Sequence, residues 1–122
     1  GQIWESLLQA AHYKLNNLII IIDYNKLSSF DGVNDSMNLE PLAGKIRAFN
    51  YHVIELDGND MKQVVNGLNE AYMVQDKPVV IISNTIKGKG ISFMENNPKW
   101  HSGALSDEEY KIAMQDLQEE DI

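Results

Sequence analysis

Residues 15–32 read LNNLIIIIDYNKLSSFDG, and the break in the middle of this stretch decides the fold. The aliphatic run at 18–22 has none of the apolar-polar alternation of a strand wetted on one side. It reads as a strand buried on both faces, the pattern of a parallel sheet covered by helices. The run then gives way at once to Asp-Tyr-Asn-Lys and a loop with two serines, an Asp and a Gly. In open parallel sheets ligands sit beyond the carboxyl ends of the strands. A polar loop at that point is therefore the first place to seek a site.

Working outward, IWESLLQAAHYKLN at 3–16 sets Ile3, Leu7, Leu8, Ala11 and Leu15 on one helical stripe, with Asn16 and Asn17 ending the helix. Downstream, a second helix is expected over 38–49, with Asn38 or Ser36 as its cap and Pro41 in its first turn. A second strand follows at 51–56. Asp57, Gly58, Asn59 and Asp60 form a turn and N-cap cluster that opens a helix over 61–74, and Asp76-Lys77-Pro78 stops it. PVVIISNT is a third strand. The connection at 86–104 carries three glycines and one proline. Ser106 then caps a last helix, with Glu109 three residues on completing a capping box.

Helix and strand thus alternate, and right-handed crossovers of this kind build an α/β fold, a parallel sheet with helices on both faces. Three strands make a thin sheet, and the chain opens within a helix with no strand before it. The expectation is a single domain over 1–122 whose N-terminal part is missing, with an acidic C-terminal helix at 105–122. The apolar faces of the first helix and first strand should then be partly uncovered.

Composition narrows the classes. An apolar content of 43% with two tryptophans argues for a packed core. No apolar run approaches the roughly 18 residues of a membrane span, and no signal-peptide pattern opens the chain, so a soluble, cytoplasmic protein is expected, with no membrane partner. The absence of cysteine removes disulfides and thiolate metal sites. The segment 107–121 holds seven acids and one base, which is −6 of the net charge of −8, and reads as a solvated helix face. No basic stripe with interleaved aromatics is present, which argues against nucleic acid.

Three polar segments follow the three strands: DYNKLSSFDG, LDGND and NTIKGKG. LDGND is ordinary turn chemistry. The run 87–90, Lys-Gly-Lys-Gly, combines glycines that let a backbone approach a ligand with lysine point charges that suit phosphate. It is neither a Walker motif nor a dinucleotide fingerprint. His12 and His52 fall on a helix and a strand and read as packing or surface residues. His101 sits in a loop between a tryptophan and Ser-Gly, a setting open to proton-transfer chemistry. The Asn25 side-chain oxygen, just past a strand end, suits either an Asx-turn or a hard cation such as magnesium. The Leu27 carbonyl lies two residues on for the same ion.

Together these residues resemble a known family. GQIWESLLQAAHYKLNNLIIIIDYNKLSSFDG is similar to the thiamine-diphosphate-binding region of transketolases. There a Gly-Asp-Gly is followed by a short acidic segment, then G-x-x-W-E, a helix, an apolar strand and Asp-x-Asn. GQIWE and DYNKL match in order and spacing, and TIKGKGISFMENNPKWHSG resembles the family's later Lys-Gly-x-Gly loop with its Trp-His. The resemblance implies thiamine diphosphate and Mg2+ as cofactors, with Asn25 as side-chain metal ligand and Leu27 as backbone ligand. It implies that Lys87 reaches the cofactor or substrate side of the cleft. It puts His101 beside the diphosphate and the donor sugar as a catalytic and cofactor-binding residue. Glu5 would belong to an acidic cluster at a dimer interface. The implied reaction moves a two-carbon ketol unit from a ketose phosphate to an aldose phosphate, in the pentose phosphate pathway.

The departures matter as much. The family's Gly-Asp-Gly, whose Asp is the charged metal ligand, would lie just upstream of Gly1. The glutamate that polarises the cofactor's aminopyrimidine belongs to a second, pyrimidine-binding half. This chain alone is therefore expected to be inactive, working as a homodimer or in a complex with that half. Its acidic last helix resembles the ending of split transketolases. Deoxyxylulose-phosphate synthase shares the cofactor and the domain, but the Lys-Gly-x-Gly and Trp-His loop favours transketolase. A non-catalytic assembly module is the reading from another class. A flavodoxin-like domain would want a Gly-rich first turn that is not present.

Overall fold

The computed structural model describes residues 1–28, 32 and 37–119. Ser36, one of the two caps expected for the second helix, lies outside the described residues. The elements are α1 (Gln2–His12), β1 (Ile19–Tyr24), α2 (Leu42–Ala48), β2 (His52–Asp57), α3 (Met61–Met73), β3 (Val79–Asn84), a 3-10 turn (Pro98–His101) and α4 (Asp107–Glu119). No helix among the described residues is long and apolar enough to cross a membrane. The chain divides into two compact units, one of Gly1–Tyr24 with Leu39–Thr85, the other of Asn25–Asn38 with Ile86–Ile122.

The first unit holds the sheet, in the order β1-β3-β2 with both pairings parallel. The register sets Ile20 and Val53 beside Val80, and Ile19 and His52 beside Val79. Because side chains alternate along a strand, β3 sends Val80 and Ile82 to one face and Val79 and Ile81 to the other. On the first face they pack with Leu7 and Ala10 of α1, Leu42 and Ile46 of α2, and Tyr51. On the second they meet Ile54 and Leu56 of β2 and Ala71 of α3. The Tyr51 hydroxyl donates to the Leu7 carbonyl at 3.1 Å, so the one polar group in the first cluster is satisfied. The parallel α/β fold with helices on both faces is thus the observed one.

The strand buried on both faces is β3, however, and not β1 as the aliphatic run at 18–22 suggested. β1 lies at the edge. Ile21 shares a face with Ile19, which packs against the second cluster, yet Ile21 itself is 60% exposed. On α1 the buried residues are Leu7 and Ala10, while Ile3, Leu8 and Leu15 of the expected stripe are exposed. The first helix and first strand are thus partly uncovered.

Two helix boundaries also differ from the sequence reading. α1 stops at His12, before the two asparagines, because Lys14 takes a left-handed backbone with φ 52°. The Leu15 amide then donates to the Ala10 carbonyl and the Lys14 amide to that of Ala11, a Schellman closure without glycine. α2 begins at Leu42, four residues later than expected, with Pro41 as N-cap. A residue before proline is pushed away from helical backbone, which delays the start. Glu40 Oε2 accepts the Leu42 amide at 2.9 Å and does the capping. At α3 the expected cap holds: Asp60 accepts from the Lys62 and Gln63 amides.

Candidate functional site

Every residue singled out for cofactor chemistry falls in the second unit. It opens at Asn25, directly after β1. Asn25 Oδ1 accepts the Leu27 amide at 3.0 Å, and Lys26 between them takes φ 61°. Leu27 in turn bridges to Gly32. The strand therefore breaks into an Asx-turn. That does not remove Asn25 as a ligand, since an amide oxygen carries two lone pairs and only one is used here. An amide oxygen and a neighbouring carbonyl form a hard donor set, the kind magnesium takes when phosphates complete its shell. Among the described residues no group of three His, Cys, Asp or Glu is placed to hold a metal.

The second element of the site is the loop after β3. The Lys87 carbonyl accepts the Asn96 amide at 2.9 Å, which joins the loop's two ends. Within it Gly88 and Gly90 take φ 74° and 91°, a region L-residues avoid. At Gly88 a Cβ would also stand 2.6 Å from the Met94 carbonyl oxygen. Glu95 Oε1 accepts the Gly90 amide at 3.2 Å and lies 3.1 Å from the Lys89 ammonium. The Gly90 amide and then the Lys89 ammonium hold the Glu95 carboxyl below the usual carboxylate range. The Lys87 ammonium has no ion-pair partner among the described residues.

His101 is the last residue of the 3-10 turn and is exposed. Asn97 caps the turn by accepting the Lys99 amide at 3.1 Å. The Phe93 carbonyl receives both the Trp100 indole N–H and the Asn97 amide group, each at 3.1 Å, and the Phe93 and Trp100 rings lie 5.2 Å apart. These contacts tie the Trp-His segment to the loop that carries Lys87. Beyond it, Ser106 and Glu109 form the expected reciprocal capping box of α4, at 2.8 and 3.2 Å. From α4, Asp116 reaches back to accept both the amide and the hydroxyl of Ser92, at 2.8 and 2.7 Å. Those bonds hold the Asp116 carboxyl below its ordinary value.

The structure thus brings Asn25, Leu27, Lys87 and His101 into one compact unit. No hydrogen bond or ion pair among the described residues links Asn25, Lys87 and His101 to one another. Glu5 stands apart on the first turn of α1, exposed, in the first unit. His52 pairs with Glu70 at 2.8 Å and His12 packs edge-on against Tyr13, ordinary surface roles as expected. LDGND is turn chemistry, with Asp57 Oδ1 accepting the Asn59 amide at 2.9 Å. Sequence reasoning missed Glu95 and Asp116. The only signal was an acid a few residues past the second glycine, and nothing local says that it folds back.

Residues 1–120 match the family described as the transketolase thiamine diphosphate binding domain. The chain belongs to that family. It is 44% identical over 120 residues to an apulose-4-phosphate transketolase subunit of Actinobacillus succinogenes, covering 98% of this chain and 43% of that protein. It is 42% identical over 121 residues to the 6-deoxy-6-sulfo-D-fructose transketolase subunit SqwG of a Clostridium species, covering 98% and 44%. The chain therefore spans less than half the length of these curated relatives. Among solved structures, the transketolase of Campylobacter jejuni superposes with a TM-score of 0.87 at 29% identity, covering 94% of this chain and 18% of that one. The sheet and helices of this transketolase domain are thus those of the thiamine diphosphate-binding fold.

Proposed function

We propose that this chain is the diphosphate-binding part of a transketolase-type transferase, which moves a two-carbon ketol unit from a ketose phosphate to an aldose phosphate. The observation that carries the reading is the family match over 1–120, a domain named for thiamine diphosphate. That cofactor, when bound, supplies the carbanion chemistry of the transfer. The residues of this chain bind, orient and handle protons.

In this reading the Asn25 side chain and the Leu27 carbonyl would hold Mg2+, which would supply positive charge for the diphosphate, and the Asx-turn ties the two residues together. Lys87 adds a cation from a loop whose backbone is bent by two left-handed glycines. His101, exposed at the end of its turn, has both ring nitrogens without a partner among the described residues. It exchanges a proton with a sugar hydroxyl and acts as the catalytic acid-base group. Glu5 lies on the face of α1 that meets a second protomer. The two close relatives are named as subunits, which supports a complex with a pyrimidine-binding half and predicts that this chain alone is inactive. Their named sugars also argue that the donor need not be an ordinary pentose phosphate.

The test is calorimetric titration of thiamine diphosphate with Mg2+ into the complete enzyme, this chain together with the rest of its protein and any partner polypeptide. Asn25→Ala should weaken binding about tenfold or more, the equivalent of about 1.4 kcal/mol of lost ligation. Ketol transfer to ribose 5-phosphate should fall with it. Unchanged cofactor affinity in Asn25→Ala would sink the metal assignment and favour an assembly module.

A further inference from the structure

We infer that Glu95 is the positioning residue of the Lys-Gly-Lys-Gly loop. It engages Lys89 and the Gly90 amide, leaving Lys87 as the loop's cation for an anionic ligand. The inference rests on the function just proposed and adds to it which lysine is ligand and which is scaffold. In the sequence the two are equivalent: each precedes a glycine, and each offers the same charge.

The structure separates them. Lys89 lies 3.1 Å from Glu95 Oε1, and the same oxygen accepts the Gly90 amide at 3.2 Å. One carboxylate thus holds a side chain and the backbone next to it. The bond to the Gly90 amide fixes the glycine with φ 91°, a conformation the chain would otherwise leave readily. A hydrogen bond to an ionised acceptor is stronger than a neutral one, so this is the contact that sets the loop's path. Both side chains of the pair are partly exposed, at 43% and 33%, and an ion pair so exposed contributes little to global stability. Its effect is on position: one carboxylate holds Lys89 and the Gly90 amide together. With Lys89 neutralised, the loop carries one net positive charge, on Lys87. Lys87 is also the residue whose carbonyl closes the loop against the Asn96 amide at 2.9 Å, so the backbone beneath it is fixed. A cation on a fixed backbone and without a carboxylate partner among the described residues is poised for an anion. Lys89 would first have to leave Glu95.

The test uses the complete enzyme and a probe that needs no turnover: inorganic pyrophosphate with Mg2+, titrated calorimetrically at low and high salt, then thiamine diphosphate with Mg2+. Lys87→Gln and Lys89→Gln remove the same charge from the same loop, so a general field effect lowers both equally. The expected result is about a tenfold or greater loss for Lys87→Gln, with a flatter salt dependence, and a change within about twofold for Lys89→Gln. Glu95→Ala should weaken the wild-type protein. It should add nothing in the Lys87→Gln background, because Glu95 acts through Lys87. Equal or larger loss in Lys89→Gln, or additive losses for Lys87→Gln and Glu95→Ala, overturns the inference while leaving the proposed function standing. If the wild-type enzyme binds neither pyrophosphate nor thiamine diphosphate, the proposed function itself fails. The two lysine variants decide the matter even if Glu95→Ala does not fold.

Discussion

Two glycine-to-alanine changes in this chain should have opposite signs. Gly88 has φ 74°, and a Cβ there would stand 2.6 Å from the Met94 carbonyl oxygen and 2.7 Å from its carbon. Placing alanine in left-handed backbone costs about 1–2 kcal/mol. Forcing a methyl against neighbours that cannot rotate away adds about 1–3 kcal/mol. The obstacle is backbone, so the loop must open rather than repack, and the total is about 2–5 kcal/mol. Gly44 lies within α2, where an added Cβ would meet only Pro41 side-chain carbons at 3.5 and 3.6 Å, ordinary contact. Alanine there should gain about 0.5–1 kcal/mol from helix propensity. Amide hydrogen exchange reads both segments separately, which matters because the two glycines belong to different compact units. In Gly88→Ala the Asn96 amide, which donates to the Lys87 carbonyl, should lose at least about 30-fold in protection. In Gly44→Ala the Phe49 amide, which donates to the Lys45 carbonyl, should gain about 2- to 5-fold. Unchanged protection at Asn96 in Gly88→Ala would refute the account of the loop as a strained, glycine-dependent turn.

Three further outcomes follow from the packing and capping. Ile82, 2% exposed on the central strand, should cost about 2–4 kcal/mol when changed to Ala, read as a drop in urea midpoint, and a cost under about 1 kcal/mol would contradict its place in the core. Ser106→Ala removes the acceptor for the Glu109 amide and should destabilise the start of α4 by about 1 kcal/mol, seen as faster exchange at that amide with little change at the α4 C-terminus. Asp116 has its folded value lowered by the Ser92 hydroxyl and amide, so its contribution is present above the ordinary carboxylate value of about 4 and is lost as pH falls through the lower folded value. The Ser92 amide signal in a magnetic-resonance titration should move in that acid window, and a trace that stays the same in Asp116→Asn would remove the assignment.

Legibility in the sequence followed distance along the chain. The caps Asp60 and Ser106 with Glu109 were readable because donor and acceptor lie within three residues of each other. The α2 start was misplaced because Glu40, not Asn38, supplies the capping oxygen, and a glutamate two residues before the helix is not a recognised start signal. The end of α1 was misplaced because a lysine holds the left-handed position where Gly or Asn is expected. In the candidate site, Asn25 and Lys87 stood out by residue type and neighbourhood. Glu95 and Asp116 did not, because their partners lie 5 and 24 residues away and are set by how a loop and a helix fold back.

By itself the sequence determined the alternation of helix and strand, the parallel α/β class and the family, since each rests on periodicity, local turn chemistry or contiguous motifs. The tertiary structure alone decided the order β1-β3-β2 and hence which aliphatic strand is central. IIII in β1 and VVII in β3 carry the same apolar signal, and only the docking of α1, α2 and α3 on the two faces makes β3 the buried one and leaves Ile21 exposed. It also decided which lysine of a symmetric motif is paired. The physical reason is the same in both cases: local pattern fixes what a segment is, while long-range packing fixes what it touches.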